Sequence, residues 1–332
     1  MKMTGSKRQQ PTARTQWLRV VGMFAGGMLA GVSLGSRADA YPLPSQGEAV
    51  IGEPAEVVAG HDDTLIDLAR RHGLGFEEIV NANRGVDPWL PGEGTRIQLP
   101  KQRILPDTPR EGIVVNLPEH RLYYYPPPKV PEPPIVITYP VSVGKMDWAT
   151  PLGLTRIALK VRNPTWTPPE SVRQEHLKNG EVLPKVVPAG PDNPLGLFAM
   201  RLAIPGGAYM IHGTNKPAGV GMQVTHGCMR LYPEDIEALF AMVPEGTPVR
   251  IINQPHKVGW RNGRLYGEAH PALESTEARI IEPDLQSLLA LVAQQAVLQS
   301  ATVEWTETEA VYTAASGMAT VVAQRTVELD GT

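Results

Sequence analysis

The sequence predicts a mainly β, α+β chain: a β-sandwich-like or half-barrel central region, a small strand–helix–helix–strand (βααβ) unit before it and an extension behind it. Three observations carry this. Between Glu111 and about Gln254, short β-branched and aromatic runs ("GIVVNL", "RLYYYP", "IVITYPVSVG", "TRIALKV", "LFAMRLAI", "YMIHG", "PVRIIN") alternate with Pro and Gly. Residues 56–100 carry two short helical periods between strand-like ends. Beyond residue 254 a hairpin signal is followed by one longer helical period.

Taken in order, residues 1–40 read as a cleavable export signal. Lys2, Lys7, Arg8, Arg14 and Arg19 precede an apolar run from Val20 to Leu34, and Ala38-Asp39-Ala40 forms an A-x-A cleavage pattern, so the mature chain is expected to start at Tyr41. A retained N-terminal anchor is the alternative, although the run is short for a membrane span. The expected product is soluble and periplasmic. Residues 41–55, rich in Pro and Gly, read as a leader segment without an apolar period. In the 56–100 unit, "DTLIDLARRHG" places Leu65, Leu68 and Ala69 on one helical face; "FEEIVNANRG" repeats this with Phe76, Ile79 and Val80; "GTRIQLP" closes as a strand.

The central region spans 111–253. Its "PPPKVPEPP" at 126–134 cannot continue a strand and reads as a hairpin loop. One helix interrupts the β-rich runs: "YPEDIEALFAMVPEG" has Pro233 near its start, acids in its first turn, and Ile236, Leu239 and Phe240 on one face. In the extension, 254–332, Asn262-Gly263 marks a hairpin, and Leu285, Leu288, Leu289 and Val292 mark a packing helix; no activity is assigned to it.

The formal charge of the 332-residue chain is −3, and removal of residues 1–40, with six basic residues and Asp39, shifts it to −8. That balance argues against a nucleic-acid partner, whose binding rests on basic clusters. Cys228 is the only cysteine, so in an oxidising compartment it is either an inert buried residue or a reactive thiol.

Cys228 lies in "THGCMR". A thiol becomes a strong nucleophile only beside a base or a positive charge, and His212, His226 and Arg230 offer both. Gly227 removes a side chain beside the sulfur, and the backbone N–H groups of Gly227 and Cys228 are placed to meet a developing oxyanion. Three readings compete: an inert core thiol, a hydrogen-bonded core histidine at 212, and a zinc site of His212, His226 and Cys228 that lacks a convincing fourth ligand.

"IHGT" followed by "THGCMRL", with "VPAGPDNPLG" at 187–196 upstream, closely resembles the L,D-transpeptidase (YkuD-type) family, and "NPTWTPP" at 163–169 resembles its periplasmic ErfK/YbiS-type members. The 56–100 unit, with "DDTL" opening its first helix and "NAN" ending its second, resembles a LysM domain. The first resemblance implies a β-sandwich-like catalytic domain with Cys228 as nucleophile and His212 as proton acceptor and donor. It implies that His226 and Gly227 shape the oxyanion region and cleft. Gly213, where some members carry Ser, would orient the imidazole through its carbonyl, with a looser backbone, and Arg230 would meet a substrate carboxylate.

The implied reaction is acyl transfer through a Cys228 thioester with the meso-diaminopimelate carbonyl of a peptidoglycan tetrapeptide stem, with release of D-Ala and no cofactor or metal. The expected acceptor is the C-terminal Lys of an outer-membrane lipoprotein; 3→3 cross-linking, thioester hydrolysis and a non-catalytic wall-binding role are the alternatives. The LysM resemblance implies glycan binding that adds avidity, separate from the chemistry.

Overall fold

The computed structural model describes residues 39–145, 150–205, 209–273 and 284–326. The expected export signal lies outside them except for Asp39 and Ala40, which open β1 (Asp39–Pro42). The stretch read as a plain leader is structured: it ends near β2 (Val50–Ile51), and its Tyr41, Leu43 and Ile51 pack with Val114, Tyr123, Tyr125 and Val136. The stretch shows no period because its strand residues are too few: β1 adds four residues to the edge of the large sheet and β2 only two.

The small unit follows as β3 (Ala55–Val58), α1 (Leu65–Arg71), α2 (Phe76–Ala82) and β4 (Arg96–Leu99), with β3 and β4 antiparallel. Thr64 caps α1, its Oγ1 accepting the Asp67 N–H at 3.1 Å. Leu65, Leu68 and Ala69 turn inward onto Leu74, Ile79, Ile97 and Leu99. Asn83, closing α2, donates to the carbonyls of Ile79 and Gln98 at 2.8 and 2.9 Å and accepts the Gln98 N–H at 2.7 Å, tying helix to strand.

After β5 (Arg103–Ile104), which pairs with β2, the central region contains β6 (Gly112–Asn116), β7 (Arg121–Tyr125), β8 (Ile135–Pro140), β9 (Val143–Gly144) and β10 (Gly153–Arg162). It continues with α3 (Glu170–Lys178), β11 (Phe198–Leu202), β12 (Met210–His212), β13 (Gln223–Thr225), β14 (Met229–Arg230), α4 (Pro233–Met242) and β15 (Pro248–Ile252). Residues 126–134 are the loop of the β7–β8 hairpin. Nine strands form one sheet, ordered β1-β8-β7-β6-β15-β10-β11-β12-β14, antiparallel except at β6–β15 and β12–β14.

Alternate residues of these strands, among them Val115, Leu122, Tyr139, Met200, Ile211 and Met229, share one core with Ile236, Leu239 and Phe240 of α4. Strands from β8 round to β14 serve a single core only if the sheet curls. Two backbone hydrogen bonds between Ser142 and Arg230, at 2.9 and 3.2 Å, bring its far strand back to the segment after β8. The central region therefore takes the half-barrel form of the expectation, with β9 and β13 pairing as a separate two-stranded sheet. "RLYYY" is buried throughout because Leu122 and Tyr124 face this core while Tyr123 and Tyr125 face the leader.

The extension holds more than the sequence suggests. β16 (His256–Arg261), β17 (Arg264–Ala269), β18 (Ala301–Val303) and β19 (Thr320–Arg325) form a sheet ordered β16-β17-β19-β18, packed on α5 (Leu285–Leu298) and α6 (Trp305–Ala314). Asn262 and Gly263 both have positive φ, 51° and 74°, as a two-residue hairpin turn requires. Buried Lys257 places its Nζ 2.8 Å from Glu119 and from Glu268 and 2.6 Å from the Ile104 carbonyl, joining the extension to the central region and β5.

The small unit is also docked rather than tethered. Glu78 of α2 accepts Arg121 Nε at 2.7 Å and Nη2 at 2.8 Å, Arg103 Nη2 at 3.0 Å and the Gly75 N–H at 2.6 Å. Arg121 also reaches the Gly73 carbonyl at 2.9 Å and Thr138 Oγ1 at 2.8 Å. Outside this network, Arg70 makes a bidentate pair with Glu234 of α4 at 3.0 Å, and Tyr232 Oη donates to the Leu74 carbonyl at 3.1 Å.

Burial alone would push the Glu78 carboxyl pKa up, but the guanidiniums of Arg121 and Arg103 hold it down to about 2. A depressed carboxylate contributes stability above its unfolded pKa of ~4.3 that is lost as pH falls through the folded value. Urea unfolding at pH 5, 4, 3 and 2 should show a Glu78-dependent loss on the order of 3 kcal/mol concentrated below pH ~4.5. Unfolding energies of the wild type and Glu78→Gln that run parallel over this range would contradict the assignment.

Candidate active site

The site follows from one register. β12 and β14 run parallel, pairing Ile211 with Met229 and His212 with Arg230. Ile211 and Met229 point into the core. Side chains alternate along a strand, so Met210, His212 and Arg230 take the opposite face, together with Cys228 two residues before Arg230. His212, His226, Cys228 and Arg230 line one cleft of about 790 Å³, walled in part by Trp166 and Val172. That volume suits a substrate of small-peptide size. Gly213 and Gly227, both buried, stand beside these side chains in the chain.

The loop from 213 to 227 is fixed at many points. Gly213 donates its N–H to the Phe198 carbonyl at 3.1 Å, Ser142 Oγ donates to the Gly219 carbonyl at 2.7 Å, and Val143 N–H to the Met222 carbonyl at 3.1 Å. β13 pairs with β9, and Thr225 Oγ1 donates to the Cys228 carbonyl at 2.5 Å. Between them Gly227 turns the chain at φ 87°, a conformation in which a Cβ would be strained.

His212 Nδ1 lies 2.6 Å from the Gly213 carbonyl. A carbonyl only accepts, so Nδ1 carries the proton and Nε2 is the basic nitrogen. The looseness expected at Gly213 is absent: its N–H and C=O are both engaged, and a Cβ there would lie 3.0 Å from Ile236 Cγ2. Burial, with a smaller contribution from Arg230, lowers the His212 pKa to about 3. Burial also pushes the Cys228 thiol up, against a backbone hydrogen bond from Met210 and the charge of Arg230. The resting pair at neutral pH is therefore a neutral imidazole and a thiol. Arg230 forms no ion pair among the described residues, and its buried Nε has no hydrogen-bond partner there.

One contributor is invisible in the sequence. Glu175 of α3 receives His226 Nε2 at 2.6 Å and also pairs with Lys145. The Lys145 and His226 contacts bring its pKa down to about 2. Helix α3 escapes the sequence reading because only Val172 of its nine residues is buried, so no apolar period marks it.

The family profile of the L,D-transpeptidase catalytic domain (YkuD) matches residues 110–251. The probable L,D-transpeptidase YcfS of Escherichia coli (strain K12) is 42% identical over 264 residues, which cover 78% of this chain and 81% of that protein. The chain belongs to the L,D-transpeptidase family. Two further relatives of the same organism agree: the probable L,D-transpeptidase YbiS, 43% identical over 72% of this chain and 77% of its own length, and the probable L,D-transpeptidase ErfK/SrfK, 41% identical over 79% and 83%. The protein is thus an L,D-transpeptidase, an enzyme of peptidoglycan.

In this transpeptidase the His212 ring should stay neutral and protonated at Nδ1 from pH 7 down to pH 5, because its pKa lies near 3. Ring ¹⁵N shifts of the labelled protein measure this directly. A titration midpoint near the ordinary histidine value of ~6.5 would contradict the buried, Gly213-bonded geometry.

Proposed function

We propose that the transpeptidase works through a Cys228 thioester, with His212 as the proton carrier and Arg230 as the carboxylate anchor. One observation carries this reading: His212 and Arg230 are paired on adjacent strands, and Cys228, just before β14, lines the same cleft. His212 Nε2 takes the thiol proton as Sγ attacks the carbonyl at the L-centre of meso-diaminopimelate in a tetrapeptide stem. The tetrahedral oxyanion is met by backbone N–H groups at Gly227 and Cys228, and collapse expels the D-Ala amine, which takes the proton from His212. An acceptor amine then adds to the thioester, giving its proton to His212, and Sγ leaves as the thiol. Arg230, a cation with an unmet buried N–H, suits a carboxylate of the stem.

Protonating the leaving amine through a histidine that rests neutral means the proton comes from the thiol itself, so acylation conserves charge in a buried cleft. Cys228→Ala should abolish transfer, and Cys228→Ser should fail too, since an alcohol is the poorer nucleophile. His212→Ala should slow acylation by ~10²–10⁴-fold and more than His226→Ala does, because His226 is bound to Glu175 and only shapes the cleft. Mass spectrometry of Cys228 acylation by a carbapenem reads all four variants. A His226→Ala defect larger than that of His212→Ala would reverse the two roles.

The acceptor in this reading is the C-terminal Lys of an outer-membrane lipoprotein. The chain after residue 40 is acidic, formally −8, and long-range attraction favours encounter with a basic tail. A competition between a Lys-terminated peptide and a second stem peptide should give mainly the Lys adduct, with its share falling as salt rises. A dominant 3→3 product at both low and high salt would reject this acceptor. The proposal places the enzyme in the periplasm after export, and reads the 56–100 unit, on its strand–helix–helix–strand order, as a LysM-type glycan binder.

A further inference from the structure

The contact between α2 and the loop that joins His212 to Cys228 is backbone against backbone. Phe76 N–H donates to the Val220 carbonyl at 3.0 Å, and Glu77 N–H to the Gly221 carbonyl at 3.2 Å. Gly221 sits at φ 85°, and a Cβ on it would lie 2.3 Å from Gly75 Cα and 2.5 Å from Phe76 N. On the other side, a Cβ on Gly75 would lie 2.7 Å from Gly221 Cα. No side chain fits between the two segments. The α2 end of this contact is itself fixed: the Gly75 N–H is held by Glu78, and Glu78 by Arg121 of β7.

From this we infer that the small unit is part of the catalytic scaffold. Its Gly75–Glu77 segment is a positioning element that holds the middle of the His212–Cys228 loop, while Ser142 and Val143 hold the other side at Gly219 and Met222. The inference rests on the reading of Cys228 as nucleophile, and it reverses the expectation that this unit adds avidity alone. A loop pinned from two sides keeps Sγ in reach of the imidazole; displacement of reacting groups by ~1 Å is enough to cost about 10²-fold in rate.

Phe76 is the first residue of α2, where proline is tolerated, and Gly75 before it is extended (φ −90°, ψ 166°), as a residue preceding proline prefers. Phe76→Pro removes the N–H that meets Val220 and puts a ring in its place; Phe76→Ala removes only the side chain. The full chain is reacted with a carbapenem, and the saturating acylation rate of Cys228 is separated from the apparent affinity. Thermal unfolding, binding to intact sacculi and hydrogen exchange of residues 213–227 are measured alongside.

The expected result is a maximal acylation rate at least tenfold lower for Phe76→Pro than for Phe76→Ala. Apparent carbapenem affinity and sacculus binding should match between the two, and exchange in the loop should be faster in Phe76→Pro. Equal maximal rates in the two variants would overturn the positioning role and leave the thioester reading intact. No acylation of the unaltered protein would overturn the thioester reading and this inference with it. If Phe76→Pro unfolds, Gly75→Ala, whose Cβ strikes Gly221 Cα, replaces it, with the same rate comparison deciding.

Discussion

The buried polar network that fixes the small unit on β7 runs through one carboxylate. Glu78 is buried, and its two oxygens are shared by Arg121, Arg103 and the Gly75 N–H. Taking three charges out of water is costly, and such a cluster is tolerated only when the geometry satisfies nearly every donor. Here it does, because Arg121 spends its remaining N–H groups on Gly73 and Thr138. The network is directional in a way an apolar contact is not: it fixes the distance and the rotation of α2 on β7, and so the position of the next two amides along the helix.

The second constraint is the parallel pairing of β12 and β14. It faces His212 with Arg230, and Cys228, immediately before β14, opens into the same cleft, so the three groups meet where the loop rejoins the sheet. Burial then sets their protonation. In the proposed reaction, a histidine held at Nδ1 by a carbonyl and kept neutral by desolvation leaves Nε2 unprotonated to accept the thiol proton at physiological pH. The cost is a thiol with little thiolate at rest. In the proposed reaction proton transfer then accompanies attack, which makes the placement of Sγ against the ring more critical than in a pre-ionised pair.

Much of this was legible in the sequence, and the parts that were not share a cause. Local signals sufficed for α4, with its proline start and apolar face, for the Asn262-Gly263 hairpin, for the strand–helix–helix–strand order, and for the closeness of His212 and Cys228 to one site. The polar helix α3 left no periodic mark, so Glu175 and its hold on His226 went unseen. Glu78 with Arg121, and Lys257 with Glu119, are pairs of ordinary charged residues far apart in sequence; nothing local distinguishes them from solvated surface charge. Gly75 and Gly221 look like turn residues, and only the fold shows that each lacks a side chain because of the other. The strand runs could not choose between sandwich and half-barrel for a related reason: they report alternation, whereas curling depends on the Ser142–Arg230 closure.

A docked unit also changes what glycan binding would do for the reaction. On a flexible tether, a binding module raises the local concentration of substrate over a volume set by the linker and leaves its orientation free. Here the segment 101–110 between the small unit and β6 is short and partly occupied by β5, while Glu78 and the Arg70–Glu234 pair lock the unit onto the sheet and α4. A glycan strand held by such a unit would present its peptide stems along a fixed line relative to the cleft, so that orientation as well as proximity is set before the stem enters. The same contacts that set this line also pin the loop beside Cys228.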